Sequence, residues 1–129
     1  MLTLYHESID DYFNWVIDYT AAMREVARVP PKEKAHLNIL MHCQALGIKL
    51  DSREARAQFL RRDWNEQHIH MYRKILITKG FIFWEKRGKG EDDHLKLEKY
   101  LEFYSQLTKS DFKIEFMVSI KNREIEIFG

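Results

Sequence analysis

Between Trp64 and Lys79 the sequence WNEQHIHMYRKILITK places Gln67, His70, Met71, Lys74 and Thr78 on one arc of a helix turning about 100° per residue. Ile69, Tyr72 and Leu76 fall on the opposite arc, with Arg73 nearer that apolar side. The chemistry open to the polar arc is contact with base edges. Gln67 carries the amide fork that pairs with adenine, Lys74 a cation for guanine or phosphate, and Met71 an apolar contact for a thymine methyl. A good bidentate contact of this kind gives roughly 1–3 kcal/mol of discrimination. Arg53, Arg56, Arg61 and Arg62 precede the arc, Lys86, Arg87 and Lys89 follow it, and all seven suit contact with backbone phosphates. A helix with an ordinary solvated face would carry a similar polar arc, so the surrounding charge has to be weighed.

The formal net charge of the 129 residues is +1, but it is unevenly spread. Residues 1–30 hold 2 basic and 5 acidic side chains, residues 31–90 hold 13 and 6, and residues 91–129 hold 6 and 9. The basic charge therefore coincides with the polar arc, the pattern of an electrostatic footprint. Hydrophobic residues make up 45% and aromatic residues 13%, ample for one core and against disorder. No apolar run approaches the ~20 residues that span a bilayer, and the N-terminus lacks a signal-peptide pattern. The single Cys43 excludes an intrachain disulfide and fits a reducing, cytoplasmic compartment.

Other chemistries find little support. His68 and His70 are two apart and His36 and His42 six apart, neither being the i, i+4 spacing of a helical zinc pair, so no metal site is expected. Phosphate-loop, nucleophile-elbow and nucleotide-binding fingerprints are missing, so no cofactor is expected either. Tyr5, His6, Asp10 and Asp11 could serve as acid and base, but helix capping accounts for the acids, and a non-enzyme is expected.

The elements that must position the polar arc follow from period and punctuation. Ile9, Tyr12, Phe13, Val16, Tyr19, Thr20, Met23, Val26 and Ala27 predict a long amphipathic helix over about 8–28. Pro30 and Pro31 break it, and Pro31 opens a second helix over about 31–46 that ends at Gly47. That helix has little polar face, so it should be buried on several sides at the centre of the fold. Ile48–Leu50 has room for one sheet rung; Asp51 or Ser52 then caps a short helix over about 52–61 with Ala55, Phe59 and Leu60 inward. Asp63, with Glu66 three residues on, should cap the helix that carries the arc and ends before Gly80. FIFWEKR and HLKL predict two strands around the loop GKGEDD, and EKYLEFYSQLT a further helix. Strict alternation at Phe112, Ile114, Phe116, Val118 and Ile120, then at Ile125 and Ile127, predicts a β-hairpin over about 111–128.

The order of elements over about 31–108, and above all Ile69, Tyr72, Leu76, Gly80 and Ile82, resembles the winged helix-turn-helix superfamily. There a reading helix ends at a glycine and the chain enters a wing. The fold expected is α+β: a winged-helix core at 31–108 with a long N-terminal helix at 8–28 and an extra hairpin at 111–128, forming one domain over 1–129. Three features depart from the pattern: the long interval LRRDWNEQ with bulky Trp64, the acids Glu91, Asp92 and Asp93 in the wing loop, and the extra hairpin. The resemblance implies binding of double-stranded DNA as a transcriptional regulator or as a replication or partition factor of a plasmid or phage. A homodimer through the N-terminal helix or the C-terminal hairpin is expected. The alternative is a winged-helix module that binds protein and no DNA, for which the near-neutral net charge and the acidic wing tip argue.

Overall fold

The computed structural model describes residues 2–4, 9–26, 28–86, 88, 93–107 and 125–127, with backbone alone at 2–4 and 125–127. The element order is β1 (Leu2–Leu4), α1 (Ile9–Met23), α2 (Pro31–Ala45), α3 (Arg53–Leu60), α4 (Glu66–Thr78), β2 (Ile82–Glu85), β3 (His94–Leu97), α5 (Lys99–Gln106) and β4 (Ile125–Ile127). The chain is thus α+β, five helices with short antiparallel strand pairs among the described residues.

Helix α2 lies at the centre and packs against α1, α3, α4 and α5. Leu37, Ile39, Leu40, Met41 and Cys43 are all buried, as its nearly continuous apolar sequence requires. Pro31 starts it where a missing N–H costs nothing, and Gly47, at φ 75°, ends it in a left-handed turn closed by Ile48 N–H to Cys43 O. That closure uses the Ile48 amide, and Ser52 N–H donates to Lys49 O, so Ile48–Leu50 forms a turn in place of the expected sheet rung.

Helix α1 is shorter than the periodicity predicts. It stops at Met23 because Glu25 adopts φ 55° and the Glu25 and Val26 amides fold back to Ala22 O and Ala21 O. Its inward stripe is Tyr12, Phe13, Val16, Ile17, Thr20 and Ala21; Tyr19 and Met23, expected inward, are exposed beside Trp15. Leu60 is likewise exposed, since α3 turns only Ala55 and Phe59 to the core.

Strands β2 and β3 pair antiparallel from Ile82 with Leu97 to Glu85 with His94. Ile82, Leu95 and Leu97 are buried, whereas Phe83 and Trp84 stay exposed, so this ribbon is anchored at one end and reaches away from the core. Strand β4 pairs antiparallel with β1. The first arm of the expected C-terminal hairpin lies outside the described residues. The buried apolar side chains form one cluster reaching from Tyr12 to Leu101.

Candidate nucleic-acid interface

The turn between α3 and α4 sets the pose of the polar arc. Asp63 takes the left-handed conformation at φ 62°, which Asp tolerates better than most residues, and the Trp64 amide closes the turn on Phe59 O. The indole is then buried, with ring centres 5.4 Å from His36, 5.4 Å from Phe59 and 5.6 Å from Tyr72. A bulky residue in this turn is therefore the plug that joins α2, α3 and α4. The N-cap of α4 is Asn65, whose side chain accepts from His68 N–H at 2.8 Å, and not Asp63, because Asp63 is already spent on ending the previous helix.

With that start, Ile69 and Leu76 are buried and Tyr72 is partly buried, while Gln67, His70, Met71, Lys74 and Thr78 are all exposed, as their spacing predicts. The Thr78 hydroxyl donates to Lys74 O at 3.0 Å, so it is partly committed to its own helix. Arg53, Arg56, Arg61 and Arg62 are exposed along α3 and the turn. Two of them are engaged: Arg62 with Gln58 O at 2.8 Å and Gln58 Oε1 at 3.2 Å, and Arg56 with Glu66 at 3.5 Å. Lys86 is exposed just beyond β2, and Arg87 and Lys89 lie outside the described residues.

The far end of α4 is clamped by a residue that periodicity does not single out. Arg24 donates to Lys79 O at 2.9 Å and Gly80 O at 3.2 Å, and its guanidinium lies 4.9 Å from the Phe81 ring centre. A cation there also opposes the negative end of the helix dipole. Lys79 adds a bond of 2.6 Å to the buried Glu33 of α2. The polar arc is thus held from both ends against the central helix.

Beside it, α3 and α4 enclose a cavity of about 350 Å³ lined by Leu50, Asp51, Ser52, Arg56, Glu66, Ile69, His70 and Arg73. The sequence pointed to Arg73 as inward, which it is, with its guanidinium 5.7 Å from the Phe59 ring centre. Burial pulls this guanidinium below its ordinary range, Asp51 counteracts that, and Arg56 adds to it. Asp51 and Ser52 read as capping residues alone; a cation at a half-inward position of a helix was the signal that something polar lies beneath. Burial pushes the Cys43 thiol up. Among the described residues no three His, Cys, Asp or Glu side chains gather as metal ligands, and no helix is long and apolar enough to cross a membrane. Comparison with family models, with curated proteins and with solved structures finds no match to this chain.

Proposed function

We propose that this chain binds duplex DNA as a winged helix-turn-helix protein, with α3 and α4 as the helix pair, α4 in the major groove and the β2–β3 ribbon as the wing. Transcriptional regulation, or replication or partition of a plasmid or phage, is the setting we infer, in the cytoplasm and without a catalytic step. The observation that supports this most is the coincidence on α4 of an exposed arc able to read bases with exposed arginines on the neighbouring α3. Gln67, Met71 and Lys74 would meet bases, His70 and Thr78 would border them, and Arg53, Arg56, Arg61, Arg62 and Lys86 would meet phosphates. Arg87 and Lys89 complete the proposed phosphate set. Exposed Phe83 and Trp84 give the wing apolar surface beside its cations.

The test is to replace Gln67 and Lys74 by Ala. Specific affinity for a selected duplex should fall by roughly 1–3 kcal/mol for the Gln67 contact, with the thermal midpoint unchanged because both side chains are exposed. Unchanged affinity in the double variant would remove α4 as the reading helix.

One observation bears on assembly with a second protein chain. Trp15, Tyr19 and Met23 line the outward side of α1, and the Trp15 and Tyr19 rings stack at 5.4 Å. We infer that this face joins two copies of the chain, as DNA binding by paired half-sites would use. Loss of DNA affinity in Tyr19→Glu together with a change from dimer to monomer in sedimentation supports that assembly. A monomeric parent protein that captures an unrelated partner through α1 favours the alternative of a protein-binding module.

A further inference from the structure

We propose that the cavity between α3 and α4 binds a small zwitterion of the α-amino acid class, its carboxylate on Arg73 and Arg56 and its ammonium on Asp51 and Glu66. The proposal does not rest on the nucleic-acid reading, although Arg56 and His70 also belong to that proposed interface.

The charges that line the cavity balance: two guanidinium groups and two carboxylates share it with Ser52 and His70. A simple anion entering would meet Asp51 and Glu66, and a simple cation would meet Arg56 and Arg73. A net-neutral molecule with separated charges satisfies both pairs. Its size is also suited, since about 350 Å³ lies at the lower end of small-molecule pockets. The apolar lining of Leu50 and Ile69 leaves room for a side chain of modest size.

Two of these groups are left wanting partners. Arg73 Nε and Asp51 Oδ1 are both withdrawn from water without a hydrogen bond, and no carboxylate among the described residues lies within ion-pair reach of Arg73. A buried N–H without a partner, as at Arg73 Nε, is costly to keep unless something in its surroundings repays it. Asp51 has Lys49 at 3.9 Å, too long for a hydrogen bond, and Arg56 and Glu66 meet at 3.5 Å, the outer limit of one. Arg56 and Glu66 are both well exposed, so the pair opens cheaply to admit a ligand.

A second cavity among the described residues differs from it. It measures about 480 Å³ and lies between α1, α2 and the α3–α4 turn, and several of its polar groups already have partners. Asn38 donates to Asn14 Oδ1 at 2.9 Å and to Asp10 O at 3.2 Å, and Lys34 to Asp18 at 2.9 Å. Unpartnered polar groups of opposite sign gather in the first cavity.

The experiment uses the full chain and the twenty standard α-amino acids one at a time, followed by amide chemical shifts and by the thermal midpoint. At least one amino acid should move the amides of residues 50–56 and 66–73 in a saturable way and raise the midpoint with concentration. Its N-acetyl derivative and its methyl ester should each bind on the order of tenfold more weakly, because each loses a charged hydrogen bond. Arg73→Met keeps a long apolar chain over Phe59 and should abolish the shifts. Arg56→Gln, at an exposed position, should weaken binding while folding persists, which covers the case of an unfolded Arg73 variant. The proposal is overturned if no amino acid saturates these amides, if acetate or methylammonium binds as tightly as the best amino acid, or if Arg56→Gln binds unchanged.

Discussion

His36 shows how a single side chain ties this fold to pH. It is fully buried in α2, its ring lies 4.5 Å from Phe59 and 5.4 Å from Trp64, and neither ring nitrogen has a hydrogen-bond partner. Burial, helped by the charge of Arg73, lowers its pKa from 6.5 to about 3. Between those values the unfolded chain binds a proton that the folded chain does not, so stability is complete above pH 6.5 and falls as pH drops towards 3. The loss attributable to this residue is on the order of 4 kcal/mol. His36→Leu should remove that slope in denaturant titrations between pH 4 and 7 and leave stability at pH 7 within about 1 kcal/mol, since an unpartnered polar group is exchanged for an apolar one. An unchanged slope would show that other groups govern acid unfolding.

Glu25 carries a different burden. A side chain other than Gly at φ 55° costs about 1–2 kcal/mol. Glu25→Gly should therefore raise the unfolding free energy by about 0.5–1 kcal/mol, after allowance for the freer unfolded chain, and chemical denaturation at constant m-value reads it directly.

Among elements, the ends of the helices decide more than their middles. Helices α1, α2, α3 and α4 each finish in a left-handed residue, at Glu25, Gly47, Asp63 and Gly80. The two glycines were legible in the sequence, because glycine is the residue that tolerates this conformation, and α2 and α4 end where expected. At Glu25 and Asp63 the backbone makes the same turn with residues that do not announce it. This is why periodicity alone extends α1 beyond Met23 and why the sequence pattern points to Asp63 as the cap of α4 where Asn65 fills it. The inward side of α4 was legible from its period, whereas the cavity depends on how α3 crosses α4, which no local pattern encodes. Gly80 also shows coupling between elements. An added Cβ would lie 2.7 Å from Arg24 Nη2, so Gly80→Ala must strain its own backbone and displace the clamp on α4. Gly80→Ala should cost roughly 1–2 kcal/mol or more and Arg24→Ala about 1 kcal/mol. Together they should cost less than the sum, because the methyl group no longer meets a guanidinium. Additive losses in a double-mutant cycle would show that the clamp does not hold the helix end.

On the scale of the whole molecule, charge placement and uncovered apolar surface decide what the protein can meet. The net charge of +1 conceals a basic middle, and the exposed arginines of α3 lie next to the polar arc of α4. Glu54 of α3, Asp63 of the turn and Glu66 at the start of α4 dilute that field, so affinity should depend on a few close phosphate contacts and be lost readily as salt rises. The most direct measurement is fluorescence anisotropy of a labelled duplex titrated with the protein at several salt concentrations. A DNA-binding α4 gives saturable binding, with log K falling linearly in log salt by about 0.9 for each phosphate neutralised. The slope should fall by close to one such unit in Arg53→Ala or Arg61→Ala. No binding at low salt, or a slope that these substitutions leave unaltered, would contradict DNA binding by α4 and turn attention to a protein partner.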